Sequence, residues 1–293
     1  MSRNNAERLS SSEEFEKAHD NSSDMIMNHV SSTQNKEIDL SFPQPTEVVE
    51  LPTQGKFYPA NHPLHNCKEA EIRYMTAKDE EILSTKSLLQ KGTAVDKMLQ
   101  GLLINKNIKV DSLFIGDKNA LLVAARITMS SAEYATHVVC MSCGEKFQQT
   151  FDLNKIKTPK PLSSEISING TFKAVLPKTN FPVEIRLLTG QSEKNIRQAA
   201  EGRKKLNMSE SPLVEQLKQM IMSINGETDP IKLENFIENS MLAMHSKHIR
   251  EEYSRISPDI SLNQEVQCTE CGVSAVITIP FTADFFWSSR KQL

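Results

Sequence analysis

Two matching Cys-x-x-Cys-Gly segments constrain this chain more than anything else in it. They are Cys140-Met141-Ser142-Cys143-Gly144 and Cys268-Thr269-Glu270-Cys271-Gly272. Both lie between β-prone runs: His137-Val138-Val139 and Phe147 to Phe151 around the first, Gln264 to Gln267 and Val273 to Ile279 around the second. Cys-x-x-Cys lets two sulfurs reach one Zn²⁺ at about 2.3 Å, and the glycine that follows permits the tight turn beneath them. The spacing predicts one shared site, with Cys140, Cys143, Cys268 and Cys271 as ligands and one zinc per chain. Four thiolates leave no open coordination position, so that zinc is structural and not catalytic. The predicted fold is α+β. Zinc-ribbon-like β-hairpins are clamped by the four-cysteine site, with helical blocks before and between the two knuckles. Disulfide oxidoreductase chemistry is the alternative use of paired thiols. It favours a Cys pair at a helix N-terminus, and neither pair is predicted to sit there.

Two further groups of metal-type side chains are weaker. His62 and His65 precede Cys67; that spacing near Pro63 is a weak metal signal, and Cys67 is read as a free thiol. His245, His248 and Glu251 share one helix face. They lack the His-Glu-x-x-His order of a zinc hydrolase, and the reading is a polar helix face.

The order of segments suggests three regions. Residues 1–45 are rich in Ser, Asn and charged side chains with almost no apolar period. Such a stretch cannot bury enough surface to offset its ordering entropy and is read as a disordered tail. Residues 46–135 hold strands and a helical block. Residues 136–288 hold the two ribbon halves (136–153 and 260–280), an inserted hairpin with helices (170–257), and an aromatic segment, Phe281 to Trp287. Thr76 before Asp79, Glu80 and Glu81 predicts a helix start. Leu121, Leu122, Ala125 and Ile127 predict a helix buried on nearly all sides. Thr171 to Val175 and Val183 to Leu187 predict a hairpin. Thr189 or Ser192 caps a helix running to about Leu206, whose cations Arg197, Arg203, Lys204 and Lys205 are read as a solvated face. Leu213, Val214, Leu217, Met220 and Ile221 predict another helix, with Pro212 at its first position.

Composition narrows the function. The chain has 34 Lys and Arg against 37 Asp and Glu, a net charge of -3. That balance argues against a dedicated nucleic-acid binder. No run of apolar residues approaches a membrane span, and Met1 to Asn21 has no apolar core of a secretory signal. The expectation is a soluble protein of a reducing compartment with no membrane partner. There is no Gly-rich phosphate loop, nucleophile elbow or kinase motif, so no enzymatic activity and no small-molecule substrate are expected.

An ordered series of segments carries a resemblance. Its first part is Leu51-Pro52-Thr53-Gln54-Gly55 with Tyr58-Pro59 and Pro63-Leu64; its second is Ile72-Arg73-Tyr74-Met75-Thr76-Ala77 with Asp79 to Leu83. Gly116 to Ala120 with Ala124 to Ile127, the first knuckle, Leu187-Leu188-Thr189-Gly190, the second knuckle and Asp284-Phe285-Phe286-Trp287 complete it. Together they resemble the T-even-type bacteriophage baseplate protein family, the hub-assembly group of contractile-tailed phages, over roughly residues 48–288. The resemblance implies a tail baseplate hub protein or hub-assembly factor that works by protein–protein contact. It further implies baseplate hub proteins as partners, and residence in the host cytoplasm during assembly or in the virion tail. Two other readings stay open: a transient assembly chaperone absent from the virion, and a zinc-ribbon protein acting on nucleic acid or polymerase.

Overall fold

A computed structural model of the chain describes residues 43–156, 162–209, 211–279 and 283–286. The expected disordered tail therefore lies outside the described residues except at its last few positions. Phe281 and Trp287 of the aromatic segment also lie outside.

The architecture is mixed α and β, with small antiparallel sheets. β1 (Thr46–Glu50) pairs with β2 (Glu69–Arg73). Three helices follow: α1 (Ala77–Ser84), α2 (Lys86–Gln90) and α3 (Ala94–Leu102). A 3₁₀ turn at Val110–Ser112 leads into α4 (Ile115–Met129). β3 (Glu133–Val139) and β4 (Lys146–Asp152) form the first knuckle hairpin. The segment between the knuckles carries β5 (Thr171–Val175), β6 (Pro182–Arg186), α5 (Gly190–Lys205), α6 (Pro212–Met220), β7 (Ile221–Ile224), α7 (Pro230–Asn239) and α8 (Ala243–Ile256). β8 (Asn263–Gln267) and β9 (Ser274–Thr278) form the second knuckle hairpin, and a 3₁₀ turn spans Ala283–Phe286.

Local signals account for most of these boundaries. Asp79 stops the first turn of α1 from fraying: its carboxylate accepts from the Thr76 backbone N–H at 2.9 Å and the Thr76 hydroxyl at 2.7 Å. The same carboxylate takes both Arg73 guanidinium nitrogens, at 2.6 and 2.9 Å, so the helix start is tied to the end of β2. Asp229 caps α7 by accepting from the Ile231 and Lys232 N–H groups, and Pro230 takes the first helical position.

Two apolar clusters form the interior. The first surrounds α4 and includes Ile72, Leu99, Leu121, Tyr134, Phe151 and Phe285, so it gathers residues from before the first knuckle and after the second. The second packs the β5–β6–β7 sheet against α6, α7 and α8, through Phe172, Val183, Ile185, Leu217, Ile237 and Ile249. α4 is buried on almost every side, as its composition predicts. Gly116, in its first turn, sits where a Cβ would lie 2.0 Å from the Pro258 carbonyl oxygen, so only glycine lets that loop approach.

One element departs from the sequence reading. The helix predicted through Ile221 ends at Met220, and Ile221–Ile224 adds a third strand beside β6. Asn225 and Gly226 both take positive φ, 50° and 84°, which turns the chain tightly after the strand. Ile221 and Ile224 then bury opposite Ile185 and Val183. Helical spacing continued past the point where sheet pairing offered a better burial for the two isoleucines.

Charge also joins α3 and α4 to α5. Lys118 on α4 reaches Asp96 on α3 at 2.6 Å and Glu193 on α5 at 2.5 Å, and Arg197 on α5 reaches Asp96 at 2.9 Å. Burial works against the Lys118 ammonium, but Glu193 and Asp96 together hold its pKa above the ordinary lysine value. Arg203 meets Glu215 and Glu238. The α5 face read as solvated is thus partly an ion-pair seam.

Candidate metal centre

Each knuckle is a hairpin tip closed by the same backbone bonds. The Cys140 N–H donates to the Glu145 carbonyl at 2.9 Å, and the Gly144 N–H to the Cys140 carbonyl at 2.9 Å. In the second knuckle the Cys268 N–H donates to the Val273 carbonyl at 3.0 Å, and the Gly272 N–H to the Cys268 carbonyl at 3.0 Å. Gly144 and Gly272 have φ of 77° and 71°, a conformation that costs other L-residues energy, which explains a glycine at this place in both tips.

The hairpins are anchored by their inner faces. Tyr134, Val138, Phe147 and Phe151 of the first and Val266 of the second are buried in the cluster around α4. The Gln264 side-chain amide donates to the Asp152 carbonyl at 2.8 Å and links the two hairpins directly. This contact leaves no mark in a motif search, because a glutamine in an alternating strand carries no distinguishing signal.

The anchoring brings all four predicted ligands together. The Sγ atoms of Cys140, Cys143, Cys268 and Cys271 lie within 4.8 Å of one another. Cys140 Sγ is 3.7 Å from Cys271 Sγ, and Cys143 Sγ is 3.9 Å from Cys268 Sγ. Those distances fit an ion. A tetrahedron of sulfurs about 2.3 Å from its centre has edges of about 3.8 Å, whereas a disulfide would bring two sulfurs to about 2.05 Å. Cys140 and Cys268 are buried, and Cys143 and Cys271 face outward.

Electrostatics at the cluster give a second test of fit. The backbone N–H of Cys143, then that of Ser142, bring the Cys140 thiol down to about 6. The Cys143 thiol goes the other way, up to about 12. The Glu145 N–H, its largest single influence, lowers it, but burial and the crowding Cys140, Cys271 and Cys268 sulfurs outweigh that. For Cys271 the Val273 N–H and the Cys143 sulfur pull downward, but burial and the Cys268 and Cys140 sulfurs outweigh them and raise it. Four sulfurs at this separation cannot all ionise beside one another unaided. A bound divalent cation removes the conflict, since a coordinating thiol is deprotonated outright.

The weaker candidates do not form comparable groups. His62 Nε2 pairs with the Ser112 hydroxyl at 2.8 Å, and its Nδ1 accepts from the Leu64 N–H. His65 Nδ1 faces the Tyr58 carbonyl at 2.6 Å, and the Cys67 thiol lies against the Pro63 carbonyl. These side chains stitch the loop between β1 and β2. His245 is buried with Nε2 at 3.2 Å from the Pro177 carbonyl. His248 and Glu251 do not join it in any grouping of three metal-type ligands among the described residues.

Sequence reasoning passed over the burial of Asp117. Asp117, in the first turn of α4, is fully buried. It accepts from the Thr53 N–H at 2.9 Å, the Thr53 hydroxyl at 2.6 Å and the Tyr58 hydroxyl at 2.8 Å. Burial, the largest influence, pushes its pKa up to about 6 in spite of the three donors.

Fold and site together define a mixed α/β protein whose sequence-distant hairpins meet in a four-cysteine cluster compatible with a metal. The chain belongs to a family of phage baseplate proteins: the family described as T4 bacteriophage base plate protein matches it over residues 44–287. No curated protein and no solved structure matches it. Among the described residues no helix is long and apolar enough to cross a membrane.

Proposed function

We propose that this protein is a non-enzymatic component of phage tail morphogenesis, acting at the baseplate hub or as a factor in hub assembly, with its fold closed by one structural zinc. Membership of the baseplate family over residues 44–287 carries this reading. The site chemistry agrees with it. The candidate centre supplies four sulfur ligands and no fifth donor among the described residues, so the ion it suits is one that shapes the chain and does not act on a substrate.

Zinc would be held by Cys140, Cys143, Cys268 and Cys271, and when bound it would supply a cross-link between two hairpins far apart in sequence. The chain's own residues do the rest. The knuckle N–H groups stabilise the sulfur charge, Gln264 aligns the hairpins, and the buried faces of β3, β4 and β8 carry the clamp into the cluster around α4.

Co-purification from phage-infected cells tests the role. The expected result is recovery of baseplate hub proteins with the tagged full chain. Recovery with polymerase or nucleic acid and without baseplate proteins would overturn it. Mass spectrometry of purified virions then separates a resident hub protein from an assembly factor that leaves.

A further inference from the structure

A groove of about 730 Å³ opens between α3 and α5, away from the four cysteines. Its floor is aromatic and rigid. The Tyr58 ring lies 4.8 Å from Phe114 and stacks on His62 at 4.3 Å. The Tyr58 hydroxyl donates to buried Asp117 and accepts from the Phe114 N–H at 3.1 Å, while His62 is held by Ser112. None of these rings needs to reorganise to meet a ligand, which removes part of the ordering cost of binding.

Charge around the rim is uneven. The two acids that line the groove are already engaged. Asp96 takes Lys118 and Arg197, and Asp111 takes Lys194 at 2.7 Å. Lys97 on α3 and Lys109, just before the 3₁₀ turn, also line it, and neither has an ion-pair partner among the described residues. The chain as a whole is acidic, with a net charge of -3, so two uncompensated lysines beside one aromatic floor are a local reversal of its character.

We propose that this groove is a docking site for an acidic peptide segment of another protein, one that sets a Leu or Phe side chain against the half-buried Phe114 and His62 rings that pack on Tyr58, and carboxylates on Lys97 and Lys109. The proposal rests on the baseplate reading only for the source of that protein. Charge complementarity selects the occupant: apolar floor and flanking cations match an acidic, amphipathic peptide. A nucleic-acid strand would follow a longer track of cations than two unpaired lysines provide.

The test uses the full chain and a fluorescein-labelled peptide of about a dozen residues that alternates Asp or Glu with Leu and Phe. Fluorescence anisotropy should show saturable binding that weakens at least about tenfold in the Lys97→Glu/Lys109→Glu double variant, from two reversed charges at the contact. The Lys78→Glu/Lys173→Glu variant, which moves the net charge equally at exposed sites on α1 and β5, should bind like the parent. A peptide with Ser and Gln in place of the acids should bind at least about tenfold more weakly. Neither lysine pair has an ion-pair partner among the described residues, so circular dichroism and melting should show both variants folded. Absent binding, equal loss in both variants, equal binding of the neutral peptide, or tighter binding of an oligo-dT probe would each overturn the proposal. Recovery of hub proteins with the wild-type chain is read separately, so a failed peptide result leaves the baseplate role standing.

Discussion

Asp117→Asn separates the cost of a buried charge from the value of its hydrogen bonds. In the folded chain the Asp117 carboxyl titrates at about 6, against an ordinary value of 3.8. Below 3.8 both folded and unfolded states hold the proton and the group is silent. Between 3.8 and 6 the unfolded chain releases its proton while the folded chain keeps it, so stability falls as pH rises, by about 1.4 kcal/mol per unit. Above 6 the loss is complete at about 3 kcal/mol. Asparagine retains a carbonyl oxygen for the Thr53 N–H, but its amide only donates, and the Thr53 and Tyr58 hydroxyls it faces already accept from the Gly55 and Phe114 N–H groups, so their own protons lose an acceptor. That cost is the same at every pH, because the variant does not titrate at this position. The stability of the variant relative to the parent should therefore rise by up to about 3 kcal/mol between pH 4 and pH 7. Urea denaturation followed by circular dichroism across that range measures the difference. Other titrating groups, among them the knuckle thiols and Asp79, affect both proteins and cancel. A difference that stays flat from pH 4 to 7, or that favours the parent as pH rises, would refute the argument and show that the three donors outweigh burial.

Three further outcomes are expected. Protein purified under reducing conditions should carry one zinc per chain by elemental analysis, and Cys140→Ser or Cys268→Ser should lower both zinc content and melting temperature; zinc-free, fully stable wild-type protein would contradict this. Asp79→Ala should cost about 3–5 kcal/mol in chemical denaturation, because it strips the buried bidentate partner from Arg73. Asp79 is held down to about 2, burial being outweighed by Arg73 and Thr76, so its contribution should be present above about pH 4 and drain away as pH falls toward 2. Phe285→Ala should cost about 3–5 kcal/mol, since the ring is fully buried edge-on against Tyr134 at 5.1 Å; a loss under about 1 kcal/mol would mean that the aromatic segment adds little to the cluster around α4.

Much of this protein can be read from local sequence. Thr76 with Asp79 and Asp229 with Pro230 mark helix starts, and the α4 composition marks a buried helix. Cys-x-x-Cys-Gly marks each knuckle, because the turn and its ligands fall within five residues of one another. These are properties of neighbours along the chain, where periodicity and capping chemistry act. Tertiary structure decided what no neighbour records. It closed the two knuckles on one another, as their matching format predicts, and set the geometry that the motif does not record, with Cys140 Sγ 3.7 Å from Cys271 Sγ. It ended α6 one residue early so that Ile221 could bury beside β6. It turned Arg197 from a solvated cation into a partner of Asp96, and it buried Asp117 beneath Thr53 and Tyr58. Each of these depends on which distant segment arrives at a surface, and burial energy, summed over the whole fold, chooses that segment.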